Sequence, residues 1–189
     1  QSLRVYDDSV LLPTSDADRS LHRALVELTV SRPLGDLLDI GCGKCRVLKL
    51  LASRANRCVG VDIDSNARRL ARAALLLAGT PNTTLRQGDM ASLAFADGEF
   101  DTVILDDVLG SAKNPVAAVA EAMRVLGSDG WLLILSSVLD GGFDEQKKQI
   151  AAWAVTSGLR LALPRSIPNK NPSWLLAVAT LADNNSVPA

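Results

Sequence analysis

The chain has 189 residues, 48% hydrophobic and 22% charged, the proportions expected of one soluble globular domain with a core of its own. Its 20 Lys and Arg against 21 Asp and Glu leave a net charge of −1, which argues against the broad basic footprint of a nucleic-acid binder. A single histidine, His22, excludes multi-histidine metal sites, and three cysteines exclude a disulfide scaffold and fit a reducing cytoplasm. No apolar run reaches the ~18 residues of a membrane span, and no basic segment precedes an apolar one as in a signal peptide. The chain opens on Gln1 rather than Met, as a trimmed or excised domain would.

In chain order, Ser15-Asp16-Ala17-Asp18 has capping-box spacing, and Leu21, Ala24, Leu25 and Leu28 then line one helical face. Arg32 to Gly35 ends that helix, and Asp36 to Ile40 reads as the first strand. The turn Gly41-Cys42-Gly43 leads into a helix from Lys44 to Ser53 with Val47, Leu48, Leu50 and Leu51 inward. Cys58 to Val61 is a second strand. Ala67, Leu70, Ala71, Ala74, Leu75 and Ala78 then form an apolar helical stripe, read as core packing and broken at Gly79 to Asn82. Strands follow at Thr83 to Arg86 and Asp101 to Leu105. Asn114-Pro115 caps a helix to Leu126. Trp131 to Ser136 is a fifth strand, Asp144 to Ser157 a helix, and Leu159 to Leu163 and Trp174 to Leu181 the last two strands. Strand–helix alternation of this kind predicts an α/β fold, a parallel sheet doubly wound by helices. The last strand has no helix before it and should run antiparallel, because a parallel return needs a long crossover. The expected division is a helical segment over residues 1–35 that caps the cleft, a main domain over 36–181 and a polar tail over 182–189.

Ligands of an open parallel sheet bind beyond the carboxyl ends of its strands. Asp39, Gly41, Cys42 and Gly43 stand there after the first strand, and Asp62, Ile63 and Asp64 after the second. Gly88, Asp89 and Met90 follow the third, Asp106 and Asp107 the fourth. The glycines let a ligand approach the backbone at a turn into a helix. Asp62, 21 residues beyond Gly41, has the spacing at which a carboxylate accepts from ribose hydroxyls. Asp39 can face a ligand's ammonium, and Asp89 can accept from an adenine amino group. These acids, with no Lys or Arg cluster beside them, oppose a pyrophosphate and suit the cationic S-adenosylmethionine. A nicotinamide-dependent dehydrogenase is disfavoured for that reason, and because the only tyrosine, Tyr6, belongs to no Tyr-x-x-x-Lys.

Four segments in order, Leu38 to Gly43, Val59 to Asp64, Arg86 to Met90 and Arg124 to Gly130, resemble the successive motifs of class I S-adenosylmethionine-dependent methyltransferases. Gly142-Phe143-Asp144-Glu145 is similar to a segment of the methyltransferase-like domains linked to ArsR-type regulators. The resemblance implies a Rossmann-like seven-stranded sheet with its last strand antiparallel. It also implies a methionine moiety on the Gly41–Gly43 loop, ribose on Asp62, and adenine beside Ile63, Asp89 and Met90. The expected activity is methyl transfer to a small-molecule acceptor, in the cytoplasm, with no membrane partner, nucleic acid disfavoured, and a homodimer compatible with it. The alternative is a domain that senses S-adenosylmethionine or S-adenosylhomocysteine without turnover.

The departures from that family motivate the alternative. Cys45 replaces the usual third glycine of the loop, Asp106 to Gly110 lacks the histidines of the ArsR-linked relatives, and Ser137 to Gly142 is shorter than theirs. Asp106 is assigned a cofactor contact ahead of a general base. Cys42 and Cys45 form a Cys-x-x-Cys, for which a redox or zinc role is the lesser reading. His22 reads as a surface or satisfied histidine, and Trp131, Trp153 and Trp174 as core or edge-covering residues. No catalytic residue is assigned.

Overall fold

The computed structural model describes residues 16–30, 32–138, 142–162, 164–168 and 173–181. Helix α1 (Asp16–Thr29) precedes β1 (Asp36–Ile40), α2 (Arg46–Leu51) with a 3₁₀ turn over Ala52–Arg54, β2 (Arg57–Asp62), α3 (Ser65–Leu77) and β3 (Thr83–Gln87). There follow β4 (Phe100–Asp106), α4 (Pro115–Val125), β5 (Leu126–Val138), α5 (Phe143–Thr156), β6 (Leu159–Leu161), β7 (Arg165–Ile167) and β8 (Ser173–Leu181). Ser15, the expected cap of α1, and the tail from Ala182 lie outside the described residues.

The strand order is β3-β2-β1-β4-β5-β8-β6, with β7 also on β8. The first five strands are parallel, and β8 runs antiparallel to β5, as the missing crossover helix required. Strands β6 and β7 lie end to end along one edge of β8. Leu159 to Leu161 pair with Leu181 to Ala179, and Arg165 to Ile167 with Leu176 to Trp174. The pairing slips by one residue between them. Pro164 stands in that gap with no N–H to give the ladder, so the single strand expected over Leu159 to Leu163 becomes a broken edge. The sheet therefore follows seven paths, the last in two pieces.

Alternating side chains place a core on each face. Leu38, Ile40, Val59, Val61, Val103 and Leu105 pack against Ala118, Val119 and Ala122 of α4 and Ile150 and Ala154 of α5. Leu37, Cys58, Ile104, Leu133 and Leu135 pack against Leu21 and Leu25 of α1, Val47, Leu48 and Leu51 of α2, and Ala71 and Leu75 of α3. The stripe on α3 is thus narrower than expected: Leu70 is 45% exposed, so only part of it is core. Asn114 caps α4 as read, its side chain accepting from the Ala117 N–H. Strand β5 begins five residues early, because Leu126 already pairs with Phe100 ahead of a register shift.

Candidate functional site

Helix α2 begins at Arg46, not Lys44, because the loop before it is left-handed. Gly41 has φ 68° and Gly43 φ 50°, and Cys45 follows them at φ 56°. A right-handed helix cannot run through such a residue, and a side chain there costs about 1–2 kcal/mol. Cys45 thus keeps the backbone that a third glycine would adopt. A Cβ at Gly41 would lie 2.7 Å from Val108 Cγ1, whereas at Gly43 it would meet nothing within 4 Å. The first glycine lets the loop touch β4's following segment, and the second leaves open space above it.

The sheet's alternation carries Asp39, Asp62 and Asp106 onto the face of Leu37, Cys58 and Ile104, the face that α2 covers. Each meets a different environment. Asp62 Oδ2 accepts from the Gly43 N–H at 2.9 Å and Oδ1 from the Asp64 N–H at 2.9 Å, joining the glycine loop to the start of α3. Asp106 Oδ1 accepts from Arg46 Nη2 at 2.6 Å. Burial raises the Asp106 carboxyl above its ordinary pKa, and the Arg46 charge and hydrogen bond oppose that rise. Asp39 is 1% exposed, and neither carboxylate oxygen has a hydrogen-bond partner among the described residues. Burial drives its pKa well above the carboxylate range; Cys42, Asp106 and Asp62 add to the rise, and only Arg46 opposes it.

The remaining expected residues surround this group. Met90 reaches the loop, its Cε 3.6 Å from a Cβ built on Gly41. Ile63, at 63% exposure, projects beyond β2 beside Asp62. The Gly88 N–H donates to the Asp62 carbonyl, and a Cβ there would stand 2.7 Å from Val61 Cγ1. Asp89 is exposed and turns the chain by accepting from the Ala91 N–H at 2.9 Å. Cys42 is buried, its N–H committed to the Val61 carbonyl. Its thiol shares a hydrogen bond with Cys45, which together with burial pushes it far above the range where a thiolate forms. Both sulfurs sit over Gly60, where a Cβ would be 2.9 Å from Cys42 Sγ and 3.3 Å from Cys45 Sγ. Among the described residues no group of three or more His, Cys, Asp or Glu is arranged to hold a metal.

Three features were not anticipated. Arg46 joins the site, its guanidinium paired with Asp106 and lying 3.9 Å from the ring centre of Trp174 on β8. An arginine at the first position of a helix opposes the helix dipole, which is a sequence signal that something else holds it. Arg68 also stands at this edge, donating to the Asp62 carbonyl. The acids were expected to stand without a Lys or Arg cluster, and two arginines from different helices nevertheless reach them. Third, Asp107 has φ 58°, and its carboxylate accepts from the N–H and Oγ of Ser137 at 2.7–2.9 Å, tying the ends of β4 and β5 together. Trp174 is core, as read, but also walls the site.

A methyltransferase domain model matches residues 38–134, just over half of the chain. The chain belongs to the methyltransferase domain family. It is 35% identical over 115 residues to a nocamycin O-methyltransferase of Saccharothrix syringae, covering 59% of this chain and 41% of that protein. It is 30% identical over 114 residues to a probable S-adenosylmethionine-dependent methyltransferase of Mycolicibacterium smegmatis, covering 60% and 42%. The chain therefore spans well under half the length of either relative. The crystal structure of a SAM-dependent methyltransferase from Aquifex aeolicus superposes with a TM-score of 0.72 at 15% identity, over 87% of this chain and 93% of that one.

S-adenosylmethionine is the cofactor that goes with this family membership. The residues present fit it on two counts. The orphaned Asp39 carboxylate suits a cation, and the open space over Gly43 suits a ligand laid close on the backbone.

Proposed function

We propose that this chain transfers a methyl group from S-adenosylmethionine to a small-molecule acceptor. The observation that carries the reading is the convergence of Asp39, Asp62 and Asp106 around a left-handed glycine loop on one face of the sheet. The cofactor supplies a methyl group on a sulfonium that already carries its leaving group. The protein's part is then to hold acceptor and methyl carbon in line, which needs no strongly activated base when the acceptor is a thiol or acidic hydroxyl.

In this assignment Gly41, Cys42 and Gly43 cradle the methionine end, with Asp39 and Asp106 facing its charges. Asp62 takes the ribose hydroxyls in exchange for its present backbone partners, and Ile63, Gly88, Asp89 and Met90 border the adenine. Residues 36–181 form the methyltransferase-like domain, and α1, the described helix of the expected cap over residues 1–35, covers the cleft. Free Cys42, Cys45 and Cys58 support a cytoplasmic setting. No described helix is long and apolar enough to cross a membrane. Of the three departures behind the sensing alternative, Cys45 leaves the loop in its left-handed shape, which supports the enzyme reading at that position.

The test is formation of S-adenosylhomocysteine when the protein is incubated with S-adenosylmethionine and a panel of phenolic, enolic and thiol acceptors. Product with at least one acceptor is expected. Tight S-adenosylhomocysteine binding without product across the panel would replace the enzyme by the sensor.

A further inference from the structure

Seven large apolar side chains stand exposed among the described residues, and four of them fall between Ile63 and Leu77. On α3, Leu76 is 81% and Leu77 89% exposed, while Ala71 and Leu75 turn inward against the sheet. Leu70, Ala73 and Leu77 recur at i, i+3 and i+7 and so form one outward stripe, with Leu76 beside it. Leu76 also borders an open groove with Arg72, Leu75, Pro81 and Leu85. That groove carries apolar surface from the helix onto β3, the edge of the sheet. Leucines gathered in water on one helix mark a contact surface.

The charge around this stripe has one sign. From Ser65 to Gly88 the chain holds four arginines, Arg68, Arg69, Arg72 and Arg86, and no acid, which leaves 16 basic against 21 acidic residues elsewhere. Arg69 and Arg72 are exposed on the same helix as the leucines, and neither is paired with an acid among the described residues. A second copy laid on this face would set arginine against arginine, so its complement is an anionic partner with an apolar interior. A bilayer with anionic headgroups meets both conditions. The leucines enter the boundary of the acyl chains, and the arginines stay at headgroup level. The same surface repels the acidic remainder of the chain, which fixes α3 as the side that faces it.

We propose that α3 and the adjoining start of β3 dock the protein on an anionic lipid surface. With 13 residues, α3 is too short to span a bilayer and lies against its surface. The expectation of no membrane partner rests on the lack of an apolar run long enough to cross, and a surface contact needs none. Helix α3 starts at the carboxyl end of β2, beside the site, and runs back along the sheet. Leu76 and Leu77 therefore lie near Thr80 and the start of β3, where Thr83 pairs with Cys58 at the amino end of β2. Docking through them leaves the cleft at the opposite end open to water, so the inference stands independently of the methyltransferase reading.

The experiment is co-sedimentation of the wild-type chain with vesicles of phosphatidylcholine alone and of phosphatidylcholine mixed with phosphatidylglycerol. Binding to the mixed vesicles and little or none to the neutral ones is expected, weakening as salt is raised. Leu76→Ser with Leu77→Ser should lower affinity for the mixed vesicles roughly tenfold or more, and Arg69→Glu with Arg72→Glu should do the same. All four side chains are exposed, so the melting temperature should stay close to that of the wild type in both variants. No binding of the wild type to mixed vesicles would overturn the inference. Binding lost in the arginine variant but kept in the leucine variant would also overturn it, since charge alone would then carry the contact to any polyanion. A concentration-dependent dimer that the leucine variant abolishes, without vesicle binding, would overturn it in favour of a second copy on this face.

Discussion

At the carboxyl end of β2 the acid is held by backbone, and the acid ending β1 has no partner among the described residues, whereas at the ends of β4 and β5 the acids are held mainly by side chains. Asp62 takes the N–H groups of Gly43 and Asp64, and the loop above it owes its shape to three left-handed residues. Across the sheet, Arg46 joins Asp106 to Trp174, and Asp107 clasps Ser137. The first half needs particular residue types at fixed spacing, because only they allow that backbone. The second needs only complementary groups, which many sequences could supply. A common cofactor fits the first arrangement and an acceptor that varies among relatives fits the second.

Asp62→Ala gives the largest effect expected. On the proposed assignment it removes two charge-assisted hydrogen bonds to ribose worth roughly 1.5–3 kcal/mol each, and in the free protein it removes the anchor of the Gly43 loop. Cofactor affinity should fall at least tenfold in calorimetry; unchanged affinity in a folded variant would show that the backbone-held half is not the cofactor site.

Arg46→Gln probes the other half. Asp106 would keep its burial and lose its cation, at about 1–3 kcal/mol of stability. The sign of the pH dependence follows from burial having raised the Asp106 pKa above its unfolded value. Stability on this account falls as pH rises from the unfolded pKa through the folded one, and without Arg46 the folded pKa rises further. The destabilisation should therefore be larger in mildly alkaline than in mildly acidic buffer, read by thermal unfolding. A loss independent of pH would mean that Arg46 acts through its packing on Trp174 instead.

Gly60→Ala sharpens the account of the loop. The new methyl would stand 2.8 Å from Leu85 Cδ2 and 2.9 Å from Cys42 Sγ, an overpacking that costs about 1–3 kcal/mol in denaturant unfolding. Cys45→Gly is the smallest change. Relief of the left-handed cysteine offsets the loss of a buried thiol, so stability should shift by no more than about 1 kcal/mol. Cofactor affinity should be equal or better; a clear loss would give the thiol a function of its own.

The same division explains what the sequence could tell. Strands β1, β2 and β4 and helices α3 to α5 follow from apolar runs and periodicity, and the glycine spacing marks the loop. The antiparallel β8 followed from the missing crossover. The break at Pro164 did not, because a three-residue edge strand carries almost no periodicity and Arg165-Ser166-Ile167 is polar at two positions. Arg46 and the Asp107–Ser137 clasp were invisible for another reason. Their partners lie 60 and 30 residues away, and only the strand order brings them together. The orphaned state of Asp39 is likewise a property of packing, since the sequence shows an acid at a strand end and not what surrounds it.

The central claim is that the ends of β1 and β2 form an S-adenosylmethionine site. Its most direct test is calorimetric titration of the wild-type chain with S-adenosylmethionine and then S-adenosylhomocysteine, followed by a thermal-shift measurement with each. The account predicts saturable micromolar binding of S-adenosylmethionine with a matching rise in melting temperature. No heat and no stabilisation with either ligand would contradict it.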